Sequence, residues 1–120
     1  MIKGFFRDNI AFINLNLSWG TTTLEETFLI DTGFAGGLMI TPLLAAQLAL
    51  DITETKTARL ADNSIVNMMA ASVVVNLNEE FNLVEVLISS GLPIVGMDFF
   101  MMFGYKIIID CKLRTITLEK

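Results

Sequence analysis

The residues best placed for chemistry are Asp31, Thr32 and Gly33, which follow the apolar run Phe28, Leu29, Ile30 and lead through Phe34 and Ala35 into Gly36 and Gly37. A carboxyl that directly follows an apolar strand is presented at a buried strand end, and glycines let the backbone approach it closely. A group held in that way suits general acid or base work. Asp, Thr and Gly are also common turn residues, so the tripeptide by itself reads equally as an ordinary turn. No His occurs and Cys111 is the one cysteine, which removes a Ser/His/Asp triad, Cys/His nucleophiles, zinc sites of Cys or His and a disulfide within one chain. Cys111, with no His to activate it, reads as structural. Glu25, Glu26, Glu79 and Glu80 fall in polar turns, so a metal site is not expected.

The elements that must position Asp31 follow from the alternation around it. Ile13, Leu15 and Leu17 alternate with Asn14 and Asn16, the period of a half-buried strand, and the turn containing Gly20 returns the chain along residues 22–30. Thr41 as N-cap and Pro42 at the first helical position open a short helix over 42–50 that stops at Asp51. Strands are expected near 55–60, 65–69, 72–77 and 84–88, with Ala61, Asp62, Asn63 and Ser64 turning between the first two. Asp98 is placed to cap a second helix over 99–103, ended by Gly104, and residues 106–109 and 115–118 form a last hairpin around Cys111 and Lys112. Seven or more short strands with one or two short helices predict a mostly β domain with closed or sandwiched sheets.

The chain has 120 residues and 13.3 kDa, one domain over residues 1–120. With 53% hydrophobic and 18% charged residues it has ample core material and apolar surface left for a partner. A net charge of −5 opposes the counterion release that drives nucleic-acid binding, so no nucleic acid is expected. Residues 32–50 lack charge but hold Gly33, Gly36, Gly37 and Pro42, and Asp98 and Lys106 interrupt the other apolar stretch, so no membrane span is expected. No apolar leader follows Met1, which points to a cytoplasmic chain. Phe5, Phe6, Phe99, Phe100 and Phe103 exceed what one small lobe easily buries and favour an interface built from the N-terminal strand and the second helix. Met68, Met69, Met101 and Met102 read as core or interface packing, and Trp19 as a cover for the first hairpin.

The apolar lead-in to Asp31, Thr32, Gly33 resembles the active-site loop of the retropepsin-like (clan AA) aspartic proteases. Downstream, Pro93, Ile94, Val95, Gly96, Met97, Asp98 and Phe99 resemble that clan's second element, two apolar residues and a Gly before a short helix. With Leu60 to Ser64 and Ile107 to Asp110 added, nearly the whole chain is similar to a family of small bacterial single-lobe proteases of the clan. The resemblance implies a retropepsin-like acid protease lobe, a closed β-barrel or sandwich with one or two short helices, that pairs as a homodimer so that each chain contributes Asp31. It implies an aspartic endopeptidase acting on a peptide or protein substrate with an activated water and no cofactor.

By the same resemblance Thr32 braces the two loops across the dimer, Gly33 leaves its N–H free to approach the carboxylate, and Ile94, Val95 and Gly96 form the loop beneath Asp31. Phe34, Leu60, Ala61, Asp62, Asn63 and Ile65 fall in the cleft or flap. The chain departs from the pattern at Phe34, where pepsins and retroviral enzymes usually have Ala or Ser, and in having no Gly between residues 38 and 90. Asn63 stands where the bacterial family often has Gly, and Asn accepts a positive φ. A non-catalytic peptide-binding or dimerisation module on the same lobe is the alternative; a retained, mutually repelling carboxylate pair favours the enzyme.

Overall fold

Ile13, Leu15 and Leu17 are buried to 1% exposure or less while Asn14 and Asn16 face outward, as their alternation requires. They lie in β2 (Ile10–Trp19), which a turn at Gly20 joins to β3 (Thr22–Ile30) in register Trp19↔Thr22 through Phe12↔Leu29. The computed structural model describes residues 1–60 and 62–120. Among them the remaining elements are β1 (Ile2–Arg7), β4 (Leu38–Ile40), α1 (Pro42–Gln47), β5 (Glu54–Arg59), β6 (Ile65–Leu77), β7 (Glu80–Ile88), β8 (Ile94–Val95), α2 (Met97–Phe103), β9 (Lys106–Asp110) and β10 (Thr115–Glu119). None of these helices is long and apolar enough to cross a membrane.

The strands run β6-β7-β4-β8-β3-β2, and β2 pairs back onto β6 through Asn16↔Asn76, Leu17↔Val75 and Ser18↔Val74, so six strands close into a ring. The mostly β domain expected from the sequence is therefore present. Two appendages leave the ring. β5 extends from β6, and β1 leads from β2 to β10 and β9 by pairing with β2 through residues 5–7 and with β10 through residues 2–4. The interior holds Phe28, Leu38, Val73, Val75, Val84 and Val95, each fully buried. Each such side chain contributes about 1.5–3 kcal/mol by leaving water.

Residues 65–69 and 72–77, expected as two strands, are one thirteen-residue strand whose buried side changes within it. Met68 and Ala70 face a small cluster with Leu87, whereas Ala71, Val73, Val75 and Leu77 face the main core. Successive side chains point to opposite faces, so burying Ala70 and Ala71 in turn transfers the covered face from one side to the other without a break. The small side chains suit that crossing point.

The aromatic surplus is resolved differently from expectation. Phe99, Phe100 and Phe103 lie on α2 at 2% exposure or less, with Phe99 4.6 Å from Phe103 and edge-on to Phe100 at 5.4 Å, so they fill the chain's own core rather than an interface. Phe5 stacks on Phe12 at 5.7 Å beneath Arg7, and Phe6 lies under Arg114. Met101 and Met102 are the apolar α2 side chains left exposed. Cys111, expected to be structural, is exposed in the last turn.

Thr41 caps α1 as expected, its Oγ1 accepting from the Leu44 amide at 3.1 Å. The helix stops earlier than Asp51: Ala49 adopts φ 52°, and its amide and that of Leu50 return to the carbonyls of Ala46 and Ala45. α2 begins at Met97 with Gly96 at the cap, so Asp98 sits inside the first turn, where its charge faces the helix dipole, instead of capping. Gly104 ends it at φ 71°.

Thr41→Ala should lower stability by about 1 kcal/mol through loss of the cap. Ala49→Gly should raise it by about 0.5 kcal/mol, since relief of the left-handed conformation exceeds the added freedom of the unfolded chain. Urea unfolding checks both, with the midpoint moving in opposite directions and the slope unchanged.

Candidate functional site

Asp31 stands one residue beyond β3, where the chain must leave the ring. β8 lies between the end of β3 and β4, parallel to the first through Leu29↔Ile94 and Ile30↔Val95, and antiparallel to the second through Leu38↔Val95 and Met39↔Ile94. The loop over residues 31–37 therefore bridges two strands that β8 holds apart. Backbone bonds tie it down: Asp31 N–H donates to Val95 O at 3.0 Å, Gly96 N–H to Gly37 O at 2.9 Å, Met97 N–H to Phe34 O at 2.8 Å and Asp98 N–H to Gly36 O at 3.2 Å. Such close passage leaves no room for a side chain at Gly96, where a Cβ would stand 2.4 Å from Gly36 O and 2.5 Å from Phe34 O.

On that support the Gly33 N–H donates to Asp31 Oδ1 at 2.9 Å. Asp31 is partly exposed and opens onto a cavity of about 710 Å³. Phe34, Met39, Ala58 and Leu87 give it an apolar wall, continuous with the small cluster around Met68. Lys56, Arg59 and Glu85 supply the charge. Lys56 Nζ donates to the Glu85 carboxylate, with Glu54 at 3.6 Å, and the hydrogen bond to Glu85 raises the lysine pKa above its ordinary value.

The β5–β6 hairpin walls the cavity through Ala58, Arg59 and Leu60. Its turn is closed by Leu60 N–H to Ser64 O and Asn63 N–H to Leu60 O, both 2.9 Å, with Asn63 at φ 73°. Asn63 thus adopts the conformation for which Gly is the usual choice. Arg59 Nη1 donates to Asn63 Oδ1 at 2.8 Å, and Asp62 Oδ1 accepts from the Ser64 amide and hydroxyl. Those two bonds, the hydroxyl's first, hold the Asp62 carboxyl below its usual pKa.

Of the residues singled out from the sequence, the structure gathers Asp31, Gly33, Phe34, Leu60 and Ile94 around the cavity. Thr32 is exposed and lines a different hollow, with Met97, Met101, Tyr105 and Ile107. Val95 is fully buried and Gly96 lies under the loop. Asp62 and Asn63 occupy the hairpin turn, Ile65 is 58% exposed and lines neither hollow, and Ala61 lies outside the described residues. Sequence reasoning passed over Met39, Lys56, Ala58, Glu85 and Leu87. The period-two spacing of Lys56, Ala58 and Leu60, and of Glu85 and Leu87, is the signal that puts each set on one strand face. Among the described residues no three of His, Cys, Asp and Glu converge as a metal-ligand set would. No protein-family model matches the chain, and no curated protein matches it.

Gly96→Ala should destabilise the fold by about 3 kcal/mol, because the intruding atom meets backbone that cannot yield without breaking the loop's hydrogen bonds; thermal and urea unfolding read this directly. The depressed Asp62 pKa makes its contribution to the hairpin turn complete above the unfolded-state value and lost as pH falls through the lower folded one. The Ser64 amide proton, followed by NMR, should titrate below the ordinary Asp range, and Asp62→Asn should abolish that titration.

Proposed function

We propose that this chain is an aspartic endopeptidase of the retropepsin-like class, working as a homodimer. The observation that carries the reading is the Asp31 carboxyl itself: it is fixed by the Gly33 amide on a loop anchored over β8, and it opens onto a largely apolar cavity with a β-hairpin along one wall. Asp31 Oδ2 accepts no hydrogen bond from the described residues, which leaves an oxygen to engage water.

One carboxyl cannot serve as base and acid in the same step, and the motif occurs once in the chain. A twofold axis supplies the second Asp31. Two facing carboxyls sharing a proton are the general behaviour of aspartic proteases, carried over to this site. The ionised member takes a proton from the attacking water while its protonated mate hydrogen-bonds the scissile carbonyl, and a proton then passes to the leaving amine. The wall formed by Phe34, Met39, Ala58 and Leu87 accepts an apolar substrate side chain.

One observation favours the alternative of a non-catalytic peptide-binding or dimerisation module. The hairpin turn has Asn63 in place of Gly and is pinned by the Arg59–Asn63 and Asp62–Ser64 bonds, which oppose the opening and closing that turnover needs.

Incubation with an unstructured protein between about pH 4 and pH 6 should give endoproteolytic fragments. Asp31→Asn should reduce cleavage to background without unfolding the chain. Cleavage that survives the substitution removes Asp31 from the mechanism, and peptide binding without cleavage at any pH supports the module instead.

A further inference from the structure

β7 buries Val84, Val86 and Ile88 in the ring, so positions 81, 83, 85 and 87 share the opposite face of the strand. A sheet covered on one side is normally polar on the other. Here two large apolar side chains stand outward, Phe81 at 62% exposure and Leu83 at 58%. Their register partners on β6 are Asn76 and Val74, and beyond those Asn16 and Ser18 of β2 give the face a polar border. Exposed apolar side chains are ordinary on any surface, and what sets these two apart is where they lead.

The same face of β7 continues into the cavity. Glu85 and Leu87, the next two positions along it, line the cavity onto which Asp31 opens. Glu85 is already paired with Lys56, so no unpaired charge separates Leu83 from Leu87 on this strand. The β5–β6 hairpin accompanies β6 only as far as Ala70, the partner of Glu54, and Phe81 and Leu83 lie past that point in the open.

Resting on the reading above that the cavity receives a peptide, we infer that Phe81 and Leu83 dock an extended apolar segment of the substrate chain, outside the residues seated in the cavity. An extended peptide repeats its side chains about every 6.7 Å on one side, the spacing of positions 81, 83, 85 and 87 along β7. A chain laid along this face therefore sets alternate side chains against Leu83 and Phe81, about 13 and 20 Å from Leu87. A second folded molecule fits the face less well. Phe81 and Leu83 together offer on the order of 200 Å², well below the about 800 Å² that each partner buries in a stable interface. So small an area suits a segment whose neighbouring residues are already held in the cavity, because the added contact is then made within one complex.

Two peptides of about twenty residues test this, each long enough to reach from the cavity to Phe81. They share an apolar core for the cavity wall and differ in the flanking segments, which carry Leu at alternate positions in one and Ser in the other. Binding is read by fluorescence anisotropy on the full chain carrying Asp31→Asn, which prevents cleavage. The Leu peptide should bind about tenfold more tightly than the Ser peptide, or better. Phe81→Ser and Leu83→Ser, both at exposed positions, should each reduce that preference and together abolish it. Leu43→Ser, on α1 at 68% exposure, should leave it intact. Equal binding of the two peptides, binding of neither, or a preference that survives the double substitution overturns the inference. Digestion of an unstructured protein by wild type decides the endopeptidase separately. A Leu preference lost in the double variant, with no cleavage by wild type, keeps the docking face and rejects the enzyme; cleavage without that preference does the reverse.

Discussion

The passage of β8 between β3 and β4 is the constraint on which the rest of this structure depends. A two-residue strand has little stability of its own, yet here it has partners on both sides and its Val95 is fully buried. Its backbone satisfies the amide of Asp31, and the residues that follow it satisfy the carbonyls of Phe34, Gly36 and Gly37. A turn that would otherwise fray is thereby held by bonds from outside itself, and the position of the carboxyl becomes a property of the whole ring. The requirement for Gly96 follows from the same crossing, because two backbones pass at a distance that excludes even a methyl group.

Closure of the ring explains why a cleft exists beside that loop. β6 is long enough to belong to two environments, sealing the ring against β2 at one end and backing β5 at the other. The change of buried face at Ala70 and Ala71 separates the main core from the small cluster of Met68, Ala70 and Leu87. Phe34 and Met39 pack on that smaller cluster, so the apolar wall of the cavity is an extension of packed structure and not an isolated patch. The ion pair of Lys56 with Glu85 joins β5 to β7 across β6 at the cavity wall. As an exposed pair it adds little to stability and chiefly fixes where charge lies.

The two appendages differ in what their outer edges present. β5 presents a charged edge and carries a turn whose conformation is set locally by Asn63, Asp62 and Arg59. β9 presents an edge with an apolar centre next to a hollow that reaches Thr32 in the Asp31 loop.

Much of the local structure was legible in the residues alone. The alternation of Ile13, Leu15 and Leu17, the cap at Thr41 and the stop at Gly104 express short-range preferences, and the mostly β class follows from the number of such segments. The Asp31 turn was recognisable because an apolar strand, an ionisable side chain and glycines stand consecutively. Where expectation and structure differ, a distant contact decides. Residues 65–77 form one strand because two different partners bury its two faces, and the phenylalanines of α2 turn inward because the ring leaves space for them. Lys56, Glu85 and Leu87 reach the cavity only when β5 and β7 are paired to β6, so no spacing in the sequence brings them to Asp31. Ala49, a poor residue for a left-handed turn, ends α1 because the chain must turn there to reach β5. The sequence by itself determined most strand-forming segments, the cap at Thr41 and the turn that presents the Asp31 carboxyl; which face of each strand is buried, which residue caps α2 and which side chains share the cavity were decided by tertiary pairing, because burial depends on neighbours far apart in the chain.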